Sequence, residues 1–330
     1  MIHLALPPMA SRRLPFYLAM EEWAARTLPP GEYFFSWRVK PTVICGRNQE
    51  MDKEIDLEYC RREGIDVVRR RSGGGAVYAD MENFMFSYIT SGNEIQSVFS
   101  HYTVMISEML HALGIDAEPT GRNDILINGQ KVAGNAFYHL PGRCIVHGTM
   151  LYDFDPSTLQ RVLTPSRAKL ESKGVKSAPQ RVTSLKAQGI GLSPEEFGRF
   201  AVEYLCQGNE RTVGPDDIAE IEAIEKKYYE PDFLREHRQE SGKEPDILRH
   251  SFVDGVGEFD TAVNLKPDNT IAGVGLWGDF FVIGDINADL LQPLEGVSYG
   301  RSELAKAIDA LEPSAVIKGL TKPELLNILI

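Results

Sequence analysis

The chain has 330 residues, enough for one large domain or two ordinary ones, and 43% of them are hydrophobic while 25% are charged. This composition supports a packed core and excludes a chain that is disordered throughout. The formal net charge of −12 argues against a protein that binds the nucleic-acid backbone. No apolar run reaches the roughly 18–20 residues that a bilayer span needs.

The cysteines and the N-terminus indicate the compartment. Cys45, Cys60, Cys144 and Cys206 lie far apart and form no CxxC pair, so the sequence predicts neither a disulfide framework nor a zinc knuckle. The N-terminal segment lacks the basic region and the apolar length that are typical of a signal peptide. We therefore expect a cytoplasmic protein that acts without a membrane and without nucleic acid.

The first part of the chain mixes strands with a few helices. Phe16, Met20 and Trp23 share one face of a first helix, which ends before Pro29. Strand-like runs lie at residues 33–39, 42–45, 65–69, 84–89, 124–127 and 145–152, and helical stripes lie at residues 98–113, 197–205 and 218–228. Because strands and helices do not alternate in a regular βαβ rhythm, the pattern predicts a mixed or antiparallel sheet in an α+β domain.

The pattern changes after a polar segment at residues 235–245, which we interpret as a linker. Beyond it the sequence predicts strands at residues 259–265, 271–277 and 280–283, and a helix around residues 304–311. A second helix begins with a capping-box pattern of Thr321 and Glu324. We therefore predict two domains, residues 1–245 and a small α+β domain of residues 246–330.

An RRRSGGGAV motif at residues 69–77 directly follows an apolar strand. Three glycines allow backbone N–H groups to approach an anion, and Arg70 and Arg71 supply positive charge. A glycine hairpin beside a solvated basic run is the ordinary alternative, but three arginines next to three glycines in an acidic chain favour anion binding. The spacing fits neither a Walker nor a Rossmann motif.

Two further features lie on strands. Asn128-Gly129 predicts a tight hairpin that folds the strand of Asp124 back onto the strand of Lys131. Such a hairpin could hold a carboxylate and an ammonium near one ligand, although a plain surface hairpin is the commoner meaning of the spacing. His147, within an apolar strand, is by itself more typical of a structural histidine than of a catalytic one.

Together these motifs resemble the lipoate-protein ligase family. RRRSGGGAVY, GRNDILINGQKVAGNA and HGTMLYD occur in the family's order, and residues 170–185 are similar to its KL-x-x-KG…RVT-x-L segment. Residues 257–281 resemble the small accessory domain of two-domain ligases. The resemblance implies an α+β fold with a mixed or antiparallel sheet of the biotin/lipoate-ligase type and a small α+β C-terminal accessory domain.

The resemblance implies an enzyme that uses ATP and Mg²⁺ to attach lipoate to protein. The lipoate carboxylate attacks the α-phosphate of ATP and gives lipoyl-AMP and pyrophosphate. The lipoyl group then passes to a lysine of an acceptor. The implied acceptors are apo lipoyl domains of 2-oxoacid dehydrogenase E2 subunits, the glycine-cleavage H protein, or both. We expect a monomer.

The resemblance also implies roles for individual residues. Lys131 matches the catalytic lysine that bridges the lipoyl carbonyl and the α-phosphate. Asn123 and Asp124 match positions near the phosphates, and Asp124 is the implied Mg²⁺ ligand. The other nucleotide- or lipoyl-binding positions are Arg70, Arg71, Ser72, Gly73, Gly74, Gly75, Ala76, Val77, Tyr78, Ala79 and His147.

The motif after the glycines departs from the family pattern. The family commonly has HD-x-GN there, whereas this chain has Ala79 for the histidine and Glu82 for the glycine. These two changes bear on the conformation of the loop and on which acyl chain is preferred.

One alternative function remains. An octanoyl or lipoyl transferase would share the fold but use a cysteine nucleophile and no ATP. Its cysteine is expected just before the strand of Asp124, where this chain has none, so Cys144 is the candidate left. Biotin–protein ligase fits the motifs poorly.

Overall fold

The computed structural model describes residues 1–8, 11–92, 94–120, 123–164, 181–234 and 244–330. The helices described are α1 (Leu14–Thr27), α2 (Met51–Glu54), α3 (Leu57–Glu63), α4 (Ile95–His111), α5 (Pro156–Val162), α6 (Pro194–Cys206), α7 (Pro215–Glu225), α8 (Pro231–Leu234), α9 (Arg301–Asp309), α10 (Pro313–Val316) and α11 (Lys322–Leu329). Short 3₁₀ turns lie at Lys226–Tyr229 and Gln292–Leu294, and a π-helical turn lies at Asn287–Leu291.

The strands described are β1 (Ile2–Ala5), β2 (Glu32–Trp37), β3 (Thr42–Cys45), β4 (Asp66–Arg69), β5 (Val77–Ala79), β6 (Asn83–Thr90), β7 (Ala117–Pro119), β8 (Asp124–Ile127), β9 (Gln130–Leu140), β10 (Arg143–Leu151), β11 (Glu210–Thr212), β12 (Ile247–Val253), β13 (Gly257–Leu265) and β14 (Ile271–Gly278). Most of the predicted linker, residues 170–180 of the motif segment, and Gly121 and Arg122 lie outside the described residues.

The main sheet has the strand order β11-β1-β2-β6-β10-β9-β8-β7. In it β1 pairs in parallel with β2 and β11, and the remaining neighbours are antiparallel. A separate small sheet has the order β4-β3-β5, with one parallel and one antiparallel pair. The predicted mixed sheet is therefore confirmed.

Alternating residues of the central strands face two different cores. On β6, Phe84 and Phe86 join a core that also contains residues of α4 and α6. Met85 and Ile89 of the same strand face the opposite core, which contains α1. Because successive side chains of a strand point to opposite faces, only every second residue of a central strand can contact α1.

Helix α1 lies in the interior and is buried on almost every side, from Leu14 through Ala25. Two of its buried residues, Glu21 and Glu22, are acidic and lie between apolar neighbours. Arg143 donates to the carbonyl oxygens of Ala25 (3.1 Å) and Leu28 (2.5 Å) and so satisfies the C-terminal end of the helix. No helix in the described part of the chain is long and apolar enough to cross a membrane.

The C-terminal segment, residues 244–330, has a core of its own, and we call this segment the tail. Strands β12, β13 and β14 form an antiparallel sheet, and apolar residues of that sheet pack with those of α9 and α11. The predicted capping box is confirmed, because Thr321 and Glu324 each bond the other's backbone N–H at the start of α11.

The predicted strand at residues 280–283 is wrong. Gly278, with φ of +147°, ends β14, and the segment after it joins the tail to the rest of the molecule. Phe280 stacks on Phe259 inside the tail core, with 4.7 Å between ring centroids. Phe281 faces the other way and stacks on Phe137 of β9 at 5.5 Å. Among the described residues this segment forms one isolated bridge, between Val282 and Ile317, and the Phe280 carbonyl oxygen bonds the Gly74 N–H instead of a strand partner, so no regular ladder forms.

Candidate active site

The glycine-rich motif forms the loop between β4 and β5. Gly74 has φ of +85°, a left-handed conformation that glycine adopts without strain. The loop also approaches Gly46 closely, because a Cβ at Gly46 would lie 1.9 Å from the carbonyl oxygen of Gly74. The N–H of Arg47 donates to the Ser72 carbonyl oxygen (2.9 Å) and fixes the start of the loop.

Arg70 is buried and binds the loop itself. Its guanidinium donates to the carbonyl oxygens of Ile44 (3.1 Å), Gly73 (2.7 Å) and Gly75 (2.9 Å). Its Nε donates to Ser72 Oγ (2.8 Å). Burial lowers the pKa of Arg70 to about 10, so the group stays cationic at neutral pH. Arg70 therefore sets the loop conformation and brings one positive charge to the wall beside it.

Arg71 points away from Arg70 and contacts Glu22 on α1. Its NH1 lies 3.2 Å from Glu22 Oε2, while Arg26 (2.8 Å) and Lys227 contact the same carboxylate. Burial would raise the pKa of Glu22, but the bond from Lys227 and the charges of Arg71 and Arg26 lower it overall. Arg71 lines a separate polar cleft between the main sheet and the tail.

The predicted hairpin of β8 and β9 is confirmed. Asn128 and Gly129 form its turn with φ values of 52° and 76°, as a type I′ turn requires. The register between the strands shifts at Ile125/Leu126, which marks a bulge close to Lys131. The bulge lies next to the residues that the sequence assigned to the chemistry.

Lys131 and Asp124 form the centre of the hairpin's polar group. Lys131 Nζ lies 2.8 Å from Asp124 Oδ1, and Arg181 contacts the other carboxylate oxygen. The lysine extends over Gly134, where a Cβ would lie 2.3 Å from Nζ. Two cations on one buried carboxylate leave a local excess of positive charge, which suits a phosphate or carboxylate ligand.

His147 lies on the α1 side of β10. Its Nδ1 is 2.9 Å from both carboxylate oxygens of Glu21, and its Nε2 is 2.6 Å from Ser72 Oγ. All three residues are buried. The histidine thus connects the interior helix α1 with the glycine-rich loop, and its ring also lines the cavity described next.

Two cavities meet at Lys131. The first, of about 140 Å³, has an apolar part formed by Leu18, Trp37, Ile44 and Met85. The second, of about 150 Å³, has an apolar wall of residues from β5, β10 and α5. Both are lined by Ala76, Val77, Lys131, Gly134, Thr149 and Arg181. A ligand with two parts could therefore occupy both cavities with its reacting bond beside Lys131.

The structure brings most of the predicted site residues together. Those that line one or both cavities are Arg70, Gly74, Gly75, Ala76, Val77, Tyr78, Asn123, Lys131 and His147. Asp124 lines neither cavity but pairs with Lys131, which lines both. Ser72 and Ala79 are buried in the surrounding wall, and Arg71 and Gly73 line the separate polar cleft instead.

The tail closes one side of the first cavity. Phe252, Asp279 and Phe281 line it, and the Phe280 carbonyl oxygen accepts the N–H of Gly74 at 3.2 Å. One of the loop N–H groups that the sequence offers for anion binding is therefore bonded to the tail in this arrangement.

Comparisons with known proteins match this architecture along nearly the whole chain. The family model for the lipoyl protein ligase A/B catalytic domain covers residues 14–206, and that for the bacterial lipoate protein ligase C-terminus covers residues 247–329. Lipoate-protein ligase LplJ of Bacillus subtilis (strain 168) is 32% identical over 322 residues, which cover 94% of this chain and 95% of that protein. The chain belongs to the lipoate-protein ligase family.

Other known ligases are similar to this chain in sequence or in fold. Lipoate–protein ligase 1 of Staphylococcus aureus (strain Mu50) is 32% identical and covers 94% of this chain and 95% of its own. P. falciparum LipL1, solved with lipoate, has the same fold with a TM-score of 0.75 at 18% identity, covering 99% and 97% of the two chains. A bipartite ligase from Thermoplasma acidophilum, described with its E2 lipoyl domain, has a TM-score of 0.61 at 26% identity and covers 70% and 94%. The fold implied by the sequence is confirmed.

Within this ligase fold, the cysteine named for the transferase alternative is badly placed. Cys144 and His147 are three residues apart on β10, so their side chains point to opposite faces of the sheet. Cys144 packs in the core formed with α4 and α6. Burial, aided by Glu94, raises the pKa of its thiol to about 12, which disfavours the thiolate that a nucleophile needs.

Sequence reasoning missed four residues of this site. Glu21 binds His147, Arg181 binds Asp124, Asp279 comes from the tail, and Asn83 lines the second cavity. The pair of glutamates inside an otherwise apolar helical stripe was an available signal for Glu21. No sequence spacing indicates that the tail would reach the cavity.

Proposed function

We propose that this chain is an ATP-dependent lipoate–protein ligase that forms lipoyl-AMP and transfers the lipoyl group to a lysine of an acceptor domain. The observation that carries the proposal is the meeting of two cavities at Lys131 and Arg181, both of which pair with Asp124. Lipoyl-AMP has two parts joined at a mixed anhydride, and the positive charge lies where that anhydride would form. Membership of the family supports this assignment, as do LipL1, solved with lipoate, and a similar structure (TM-score 0.61) described as lipoate-protein ligase A bound with ATP.

We assign the lipoyl chain to the first cavity and adenosine to the second. The part of the first cavity formed by Leu18, Trp37 and Met85 is apolar, as an aliphatic chain with a dithiolane ring requires. An adenine ring also has a polar edge. In the second cavity the β5 backbone and Asn83 can match that edge, and Asn83 Oδ1 has no hydrogen-bond partner among the described residues.

The chemistry needs cations and N–H donors rather than a protein nucleophile. A lipoate oxygen attacks the α-phosphorus, the bond to the pyrophosphate oxygen breaks, and negative charge increases on the phosphate oxygens. Lys131, held in place by Asp124, provides a compact charge at that point, and Arg181 provides a second one. In the second step an acceptor amine attacks the lipoyl carbonyl and AMP leaves.

Asp124 would hold Mg²⁺ in exchange for one of its present partners, because Lys131 contacts Oδ1 and Arg181 contacts Oδ2. Its carboxylate is a hard oxygen donor. A Mg²⁺ ion would take one ligand from Asp124 and others from phosphate oxygens and water. When bound, the ion would neutralise part of the phosphate charge.

We further propose the finer features that the sequence implies. The acceptors are apo lipoyl domains of 2-oxoacid dehydrogenase E2 subunits, the H protein, or both, and the enzyme is a cytoplasmic monomer. The description of the Thermoplasma ligase with its E2 lipoyl domain supports the acceptor class. We also propose that the domains divide at residues 245 and 246, which is consistent with a separate hydrophobic core of tail residues.

Lipoate-driven ATP–pyrophosphate exchange tests this function directly. We expect exchange that depends on both lipoate and Mg²⁺, followed by lipoylation of an added apo lipoyl domain, detected as the mass of one lipoyl group. Cys144→Ala should behave like the parent in both assays. Acyl transfer without ATP, together with loss of that transfer in Cys144→Ala, would instead identify a cysteine-dependent transferase.

A further inference from the structure

A series of buried hydrogen bonds links α1 to the glycine-rich loop, and the reaction described above does not use its first member. Glu21 is 0% exposed and lies 2.9 Å from His147 Nδ1. His147 Nε2 lies 2.6 Å from Ser72 Oγ, which accepts from Arg70 Nε at 2.8 Å. We call Glu21, His147, Ser72 and Arg70 the loop relay.

The chemistry of its members allows one order of hydrogen-bond donors and acceptors along the loop relay. A carboxylate can only accept, so the proton between Glu21 and His147 is carried by Nδ1. With Nδ1 protonated, the Nε2 of a neutral imidazole is an acceptor, and the Ser72 hydroxyl donates a hydrogen bond to it. The Ser72 oxygen then has its lone pairs available for the N–H of Arg70. Glu21 thus fixes the orientation of each group that follows it.

The orientation of Arg70 determines how the loop peptides face. Its guanidinium binds the carbonyl oxygens of Gly73 and Gly75. In a trans peptide the N–H points opposite to the carbonyl, so the N–H groups of Gly74 and Ala76 both point away from Arg70. The Gly74 N–H is bonded to the Phe280 carbonyl oxygen, so the loop N–H that matters for a ligand is that of Ala76. Ala76 lines both cavities, where the phosphate charge would develop.

We propose that Glu21 is a positioning residue for adenylation, which acts through His147, Ser72 and Arg70 to aim the N–H of Ala76 at the α-phosphate. The inference rests on the proposed ligase function and adds a residue to it. Preorganised N–H donors contribute to rate only when their direction is fixed before the charge develops.

The surroundings of Glu21 support a specific task. Ser87 Oγ donates to Glu21 Oε1 at 2.6 Å and itself accepts from Trp37 Nε1 at 2.9 Å. Among the described residues, the lysine and arginine side chains near this part of α1 contact Glu22 instead. A carboxylate buried without a lysine or arginine partner costs free energy that an apolar residue would avoid, so its burial here needs a reason other than packing.

Single-turnover formation of lipoyl-AMP tests the proposal with variants that preserve volume. Glu21→Gln keeps the shape but can offer either its oxygen or its amide to Nδ1, so it no longer fixes the imidazole tautomer. Tyr138→Phe is the matched control, because the Tyr138 hydroxyl lies at the outer limit of hydrogen bonding to the same carboxylate (3.5 Å). We expect the rate constant to fall about tenfold in Glu21→Gln and less than twofold in Tyr138→Phe.

A second pair of variants separates positioning from folding. In His147→Gln the side-chain amide takes the place of Nε2 and still contacts Ser72. In His147→Asn the shorter amide takes the place of Nδ1 and contacts only Glu21. We expect His147→Gln to retain more of the rate constant than His147→Asn. The burst amplitude, which counts competent sites, should stay near one per enzyme molecule in all four variants.

The outcomes are distinct. A parental rate constant in Glu21→Gln, or a fall in amplitude at an unchanged rate constant, would overturn the positioning role alone. So would a His147→Asn variant that is as fast as His147→Gln. A parent that forms no lipoyl-AMP would overturn the proposed function and this role with it.

Discussion

At the scale of single residues, Lys131 should contribute most to the chemistry. Its ammonium lies at the meeting point of the two cavities and is held by Asp124 at 2.8 Å. Negative charge on the α-phosphate oxygens increases in the transition state, so the lysine should stabilise that state more than the bound substrates. We expect Lys131→Ala to slow single-turnover lipoyl-AMP formation by about 10²–10³-fold, the usual effect of removing one such donor.

Two further variants control this experiment. Lys131→Arg should also be much slower than the parent, because a planar guanidinium cannot place its charge where the compact ammonium stood. Lys186→Ala removes an exposed lysine that pairs with Asp153 and should change the rate less than twofold. Near-parental adenylation by Lys131→Ala would contradict the role assigned to the hairpin.

Glu22 gives a pH dependence to folding stability. Its carboxylate is surrounded by Arg26, Arg71 and Lys227, which hold its pKa below the ordinary value of 4.5 despite burial. A lowered pKa in the folded state stabilises the fold fully above pH 4.5, and this contribution disappears as the pH falls below that value through the folded pKa. We expect Glu22→Gln to lower stability by about 2 kcal/mol at pH 7.

The sign of that effect can be checked by melting both proteins at several pH values. The difference in Tm between parent and Glu22→Gln should be largest near neutral pH and should shrink below pH 4.5. Glu303→Gln, which breaks an exposed pair with Lys306, should show little difference at any pH. A difference that grows on acidification would contradict the stated role of the three cations.

At the scale of elements, the β8–β9 hairpin positions Lys131 because Gly134 leaves room for it. A Cβ there would lie 2.3 Å from Nζ and 2.5 Å from Cε, both near the end of a flexible side chain. In Gly134→Ala we therefore expect the lysine to move and the strand to stay. Lipoyl-AMP formation should fall at least tenfold, while the Tm changes by only a few degrees.

Gly273→Ala is the matched control for this change. Gly273 also lies within a strand, β14, but among the described residues no atom beyond its own chain neighbours lies within 4 Å of the Cβ it would gain. It should leave both adenylation and Tm close to the parental values. If Gly134→Ala adenylated as fast as Gly273→Ala, the space above Gly134 would have no part in placing the lysine.

Sequence pattern predicted the elements well where local signals agree. Residues 42–45 and 124–127 have the predicted bounds, since apolar, β-branched runs there end at turn residues. The hairpin turn at Asn128-Gly129 needs no tertiary information. The strand predicted after Gly278 failed because the backbone bonds of that segment go to the glycine-rich loop and to one isolated bridge with Ile317, partners that no local period reveals.

The sequence analysis named most of the residues that line the two cavities, but not their contacts. Arg70 and Arg71 both read as anion-binding residues, yet Arg70 binds loop carbonyls and Arg71 binds Glu22. These partners come from distant segments, and adjacent residues of one chain point in different directions. Glu21 was missed for the same reason, because its partner His147 lies 126 positions away along the chain.

At the scale of the whole molecule, the tail contacts both the glycine-rich loop and the residues that follow β3. Besides the Gly74–Phe280 hydrogen bond, the N–H of Gly278 donates to the Asn48 carbonyl oxygen (2.8 Å), and Lys53 pairs with Asp260 (2.9 Å). Exposed pairs of this kind add little stability, so the stacking of Phe281 on Phe137 should dominate docking of the tail.

The two adjacent aromatics Phe280 and Phe281 allow docking to be separated from folding of the tail. Phe281→Ala removes the stack on Phe137 but leaves the tail core intact, so hydrogen exchange at the Gly74 N–H should accelerate while β13 and β14 stay protected. Phe280→Ala removes the partner of Phe259 inside the tail, so protection of β13 and β14 should fall. Unchanged exchange at Gly74 in Phe281→Ala would show that docking depends on the polar contacts instead.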